Sequence, residues 1–201
     1  MNRRERRQLA KRSREKNATL PPQMSEETIS LLEQALGHQS NREMDQAVNI
    51  YRQILLVDPK NSFANHFLGV IQLQNGDAHS ALKLIEIASK YDPNNQRIFN
   101  DLGLTLDKLK LHDDAILNYR KALKLSPDFP EALNNLGCAL AKSGEETEPE
   151  NCFRRVLALN PNNVESLNNL GNLLMFNGRY KEAENSYRRA LDLAPENAQL
   201  H

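Results

Sequence analysis

An all-α solenoid of five 34-residue helix–turn–helix units, ten helices in all, is the fold this sequence predicts. Three observations carry it. Glycine recurs at 69, 103, 137 and 171, and proline at 59, 93, 127, 161 and 195, both at intervals of 34. Between them Ala47, Ala81, Ala115 and Ala183 sit on the same ruler, and four residues after each place in that row stand Tyr51, Ile85, Tyr119, Phe153 and Tyr187. Inside one interval, Leu167, Leu170, Gly171 and Leu174 fall at i, i+3, i+4 and i+7, one face of a helix. A fixed period of this length marks stacked units and outranks other local signals.

The units run 28–61, 62–95, 96–129, 130–163 and 164–197, and residues 198–201 begin a sixth. Each reads as two helices, with the glycine at repeat position 8 on the first and the alanine at position 20 on the second. A helical glycine costs roughly 1 kcal/mol relative to alanine. Four of them point to a compensating close helix crossing, so a larger residue at Gly171 or Ala115 should overpack. Unit 1 departs from the pattern, with Gln34-Ala35 at the Leu-Gly place and His38 at an apolar one, as expected of a terminal unit. In units 1 to 5 the proline stops the second helix, because the residue before it is pushed out of the α region. Asn61, Asn95, Asn163 and Asn197 then stand where the next helix needs an N-cap. Pro130 takes the first helical position of unit 4, which suits it. Unit 4 breaks the alanine row with Pro149. Thr147-Glu148-Pro149-Glu150 fits a capping box with Thr147 as N-cap, which predicts a second helix starting late, near 148. That segment is either a drifted surface loop or a hinge that alters the groove.

This period, with Leu-Gly, alanine, an aromatic and proline at fixed offsets, resembles the tetratricopeptide repeat over residues 28–197. The resemblance implies a right-handed superhelix whose first helices line a concave face, with positions 2, 5, 6, 9, 12 and 13 turned to a ligand. In unit 2 these are Phe63, His66, Phe67, Val70 and Leu73; in unit 3, Arg97, Asn100, Asp101, Leu104 and Asp107. Units 4 and 5 supply Asn134, Asn135, Cys138, Asn168, Asn169, Asn172, Met175 and Phe176. An asparagine amide carries two donors and an acceptor, which suits the backbone of an extended peptide. Asn135 and Asn169 share one row; the alternative is that asparagines simply solvate the helix face. The row is similar to that of O-linked N-acetylglucosamine transferase arrays, which raises a second expectation: the substrate-recognition part of a multidomain glycosyltransferase. Position 5 reads Leu32, His66, Asn100, Asn134 and Asn168, so the cationic clamp of chaperone-binding arrays is not expected.

Composition narrows the remaining classes. Seven of the eight glycines fall at position 8 or 15, and no phosphate-cradling GxxxxGK[ST] or GxGxxG is present. With no HExxH and scattered histidines, no catalytic residues, cofactor or metal are expected, and the protein is read as a scaffold binding a protein or peptide, not an enzyme. Cys138 and Cys152 have no metal or disulfide pattern. No apolar run approaches the ~20 residues of a membrane span, so a soluble, cytoplasmic protein is expected. The net charge of zero conceals an asymmetry: residues 1–16 hold eight basic and two acidic side chains. Residues 1–24 read as a basic arm and "TLPPQ" linker before an array from 25 to 201. The arm is a solvated tail or a tether to RNA, a ribosome or an acidic partner. The start of a sixth unit raises the expectation of a longer polypeptide or of a partner covering the last unit.

Overall fold

A computed structural model describes residues 25–145 and 147–194. The basic arm, Pro195, Asn197 and the start of the sixth unit lie outside them. The helices are α1 (Glu26–Ser40), α2 (Met44–Val57), α3 (Ser62–Gln74), α4 (Ala78–Tyr91), α5 (Gln96–Lys108), α6 (His112–Leu125), α7 (Pro130–Lys142), α8 (Thr147–Leu159), α9 (Val164–Phe176) and α10 (Tyr180–Leu193). They form five antiparallel pairs, and each pair packs on the next, giving an all-α helical repeat solenoid.

The helix ends obey the local chemistry of the sequence. Asn61 Oδ1 accepts from the Ala64 N–H at 3.0 Å, Asn95 Oδ1 from Arg97 at 3.1 Å and Asn163 Oδ1 from Ser166 at 2.8 Å. Pro130 is the first residue of α7. Ser25, which the repeat pattern does not single out, caps α1 through Thr28. The turn inside each unit needs one left-handed residue, and it always falls at position 15. Gly76, Gly144 and Gly178 fill it with φ between 73° and 87°, whereas Arg42 (φ 63°) and Lys110 (φ 66°) adopt it without glycine's freedom.

Unit 4 accommodates its proline as the capping chemistry requires, with one correction. Helix α8 begins at Thr147, so this residue is the first of the helix and not its N-cap. Pro149 is then third, in the first turn, where no amide donor is needed. Its side chain is fully buried, in the place of the alanine.

The glycine row is explained by what lies over it. A Cβ added at Gly137 would meet Phe153 Cε1 at 2.7 Å, and at Gly103 it would meet Tyr119 Cε1 at 2.7 Å and the Ala115 carbonyl oxygen at 3.1 Å. Gly69 faces Ile85, and Gly171 faces Tyr187, in the same way. The crossing is as close as the sequence implies, but the side chain filling it is the one at position 24, a ring over Gly103, Gly137 and Gly171 and isoleucine over Gly69, not the neighbouring leucines. Tyr51, Tyr119 and Phe153 are each at most 1% exposed and anchor successive stretches of core.

First helices of neighbouring units also touch each other: α3 on α5, α5 on α7 and α7 on α9. The second helices are bridged by long charged side chains, Arg120 to Glu148 at 2.8 Å, Arg179 to Glu150 at 2.7 Å and Arg154 to Glu182 at 3.6 Å. The stack is therefore tighter along the first helices, which form its inner side.

Candidate functional site

The inner side is built from α3, α5, α7 and α9. At its start Phe63 and Phe67 pack at 4.5 Å between ring centroids, and Phe67 continues onto Tyr51 at 5.9 Å. Both phenylalanines are half-buried, as is Val70, so unit 2 gives an apolar floor. His66 leans on Phe67 at 5.3 Å.

Beyond Phe67 the row becomes polar, and its side chains pair across units. His66 Nε2 lies 2.7 Å from Asp101 Oδ2. Asn135 Nδ2 donates to Asn100 Oδ1 at 3.0 Å, and Asn169 Nδ2 donates to Asn134 Oδ1 at 3.0 Å. Farther along the helices, Lys142 Nζ donates to Asp107 Oδ2 at 2.7 Å. In all four pairs the partners are 35 residues apart, one more than the repeat. Position 5 of one unit meets position 6 of the next, and position 12 meets position 13. Adjacent residues on a helix are about 100° apart around its axis. The two middle helices, α5 and α7, therefore reach both neighbours from one flank.

The sequence-predicted residues separate accordingly. His66, Asn100 and Asn134 are buried, filling the seams between first helices. Asn135 and Asn169 are half-buried and bridge those seams. Asp101 is half-buried and accepts from both His66 and Asn100 Nδ2, the latter at 3.1 Å. Arg97, Asn168 and Asn172 are exposed. Asn172 Oδ1 accepts from the Tyr187 hydroxyl at 2.7 Å. The asparagines thus do more than solvate a face.

Glu165, Ser166, Lys142 and His112 belong to the same network and were not singled out by the repeat pattern. Glu165 Oε1 accepts from Asn134 Nδ2 at 2.8 Å, and the Ser166 hydroxyl donates to Asn134 Oδ1 at 3.1 Å. Rows spaced by 34 align equivalent residues, but these partners are not equivalent positions. Glu165, at position 2, and Lys142, at position 13, were within reach of the same positional rule.

Electrostatics mark two points on this face. Burial alone would raise the Asp107 carboxyl, but hydrogen bonds from Lys142 and His112 hold it below the usual carboxylate range. Burial pushes the Cys138 thiol up to about 11. Its sulfur lies 3.3 Å from Asn169 Nδ2, so it serves as packing and as a weak acceptor in the seam. Among the described residues, no group of three or more His, Cys, Asp or Glu is placed to hold a metal ion, and no helix is long and apolar enough to cross a membrane.

Comparison with known proteins agrees with this architecture. Tetratricopeptide-repeat family models match residues 112–144, 130–163 and 164–197, the last two coinciding with units 4 and 5. The chain is 32% identical over 89 residues to cell division cycle protein 27 homolog A of Arabidopsis thaliana; the match covers 44% of this chain and 12% of that protein. Among solved structures, MamA aligns with a TM-score of 0.71 at 19% identity, covering 82% of this chain and 96% of MamA. PilF of Pseudomonas aeruginosa aligns at 0.74 and 22% identity, over 83% and 76% of the two chains. YrrB, described as a TPR protein with an unusual peptide-binding site, aligns at 0.69 and 23% identity, over 84% and 87%. Residues 112–197 are therefore tetratricopeptide repeats, and the units before them continue the same solenoid.

Proposed function

We propose that the inner face binds an extended peptide or a partner's unfolded segment, making the protein an interaction scaffold. The observation that carries the reading is the pair Asn135 and Asn169, equivalent residues of successive units, each bonded across a seam through its NH2 and still partly exposed. Packed helices lie about 10 Å apart, and an extended chain rises about 3.3 Å per residue. A guest strand then meets one rung roughly every three residues. The apolar floor of Phe63, Phe67 and Val70 supplies a site for a hydrophobic side chain at one end of the strand.

The test is a peptide library screened against the wild type and an Asn135→Ala, Asn169→Ala double variant, with helicity followed by circular dichroism. Two lost rungs, each of about 1 kcal/mol, should weaken captured peptides by roughly tenfold or more while helicity is retained. Peptides that bind both proteins equally would overturn the reading. A role as the substrate-holding part of a glycosyltransferase draws on the same pair. It requires in addition that captured peptides be acceptors for a sugar.

The charge of residues 1–16 supports a second, separate activity, an electrostatic hold on RNA or an acidic partner. Deleting residues 2–16 should then abolish salt-dependent retention on RNA. Retention unchanged by the deletion would dismiss it.

A further inference from the structure

The polar seam of the inner face has a direction. We propose that Asp101 and Glu165 are positioning residues that fix which way the amides of Asn135 and Asn169 point, so that the groove meets its guest with carbonyl oxygens. The inference rests on the peptide-binding reading above and adds the chemistry that the guest must bring, namely N–H donors.

The direction follows from the fact that an ionised carboxylate can only accept hydrogen bonds. Asp101 Oδ2 is taken by His66 Nε2 at 2.7 Å, so the other oxygen, Oδ1, faces Asn100 at 3.1 Å. Asn100 must turn its NH2 to that oxygen. Its own Oδ1 is left facing Asn135, and an N–H of Asn135 is what can meet it, at 3.0 Å. Asn135 therefore turns nitrogen into the seam and oxygen away from it.

A second relay repeats the logic one unit on. Glu165 Oε1 holds the NH2 of Asn134 at 2.8 Å, leaving Asn134 Oδ1 to accept from the Ser166 hydroxyl at 3.1 Å and from Asn169 Nδ2 at 3.0 Å. The Asn169 nitrogen also lies 3.3 Å from Cys138 Sγ, so both of its partners are on the seam side. Its carbonyl oxygen is left for the groove.

Two unrelated carboxylates, at position 6 of unit 3 and position 2 of unit 5, thus impose one polarity on equivalent amides. A peptide backbone satisfies that polarity with its N–H groups. A carboxylate or phosphate, which only accepts, does not.

Amide-resolved NMR of the full-length protein tests this without a ligand. In the wild type, one side-chain N–H of Asn135 and one of Asn169 should exchange with water about tenfold more slowly than those of exposed Asn168, as expected for a hydrogen bond of typical strength. Asp101→Ala, which removes the accepting oxygen altogether, should weaken the protection at Asn135 and spare that at Asn169. Glu165→Ala, at an exposed side chain, should do the reverse with the fold intact. Protection that is missing in the wild type, or that survives both substitutions, overturns the proposal.

The second arm uses a pool of twelve-residue Ala/Ser/Thr/Val peptides and an N-methylated copy of it. Binding of the first pool and a loss of about tenfold or more for the second supports the acceptor groove. Equal binding of both overturns it. If neither pool binds while the amides respond as described, the orientation by Asp101 and Glu165 stands and the peptide-binding reading falls.

Discussion

Replacing Gly137 with alanine separates helix propensity from packing in one experiment. In an open helix the change would stabilise by about 1 kcal/mol. Here the new methyl carbon would sit 2.7 Å from Phe153 Cε1, 2.9 Å from Cζ and 3.1 Å from Cδ1. Phe153 is 1% exposed, so the ring has nowhere to go. Overpacking of this kind costs about 1–3 kcal/mol, and a rigid, enclosed ring belongs at the upper end. The net expectation is a loss of about 2 kcal/mol, read as a lower urea midpoint and a thermal midpoint reduced by roughly 4–8 °C. Gly37, near the end of α1 with nothing within 4 Å of its added Cβ, is the control and should gain about 1 kcal/mol as alanine. Gly171→Ala should fall between the two, because Tyr187 is only half-buried and can swing outward, giving up its bond to Asn172. In a Phe153→Ala background the penalty at Gly137 should disappear and reverse sign. A Gly137→Ala protein at least as stable as the wild type, beside the expected gain at Gly37, would refute the argument that the glycine row exists to seat the rings.

Other consequences are equally direct. Lys110→Gly and Arg42→Gly relieve a left-handed backbone and should each stabilise by about 0.5–1 kcal/mol in urea denaturation, less whatever the unfolded chain gains in freedom. Asp107 and Glu150 are held below the ordinary carboxylate range against the opposing effect of burial, by hydrogen bonds from Lys142 and His112 and from Arg154 and Arg179 respectively. Their contribution is complete above the unfolded value, near 4, and is lost as pH falls through the lower folded value. Asp107→Asn should therefore flatten the acid limb of the stability curve, and an unchanged limb would show that the pairing does not matter. Burial raises both cysteine thiols to about 11, so at pH 7.5 native Cys138 and Cys152 should alkylate roughly a hundredfold more slowly than an unfolded control. Fast labelling of Cys138 would mean that its seam opens.

The repeat period placed two helices in every unit, because a proline and an asparagine cap mark most boundaries between units and an apolar face marks each helix. The position-24 side chain beneath each glycine was also legible as a row, though not its contact with the glycine, since two elements on one ruler do not say which atoms meet. Pro149 was readable as a first-turn residue because proline there loses no hydrogen bond; the place of Thr147 was missed by one residue, the usual uncertainty of a helix end. The groove was legible as a set of positions. Burial of His66, Asn100 and Asn134 was not, because position 5 looks polar and solvent-facing until the next unit is laid beside it. Glu165 and Lys142 stand at positions 2 and 13 of the positional rule but were overlooked, because their partners lie 31 and 35 residues away and not at the period of 34.

The offset of 35 against 34 has a mechanical meaning. The four cross-unit bonds lie on the inside of a stack whose outer helices are joined by flexible charged arms. They act as a bowstring: each is worth about 1 kcal/mol, far less than the hydrophobic packing within a helix pair. They work beside a hydrophobic core that runs on from unit to unit, so slackening them should loosen the inner edge of the stack while every pair stays folded.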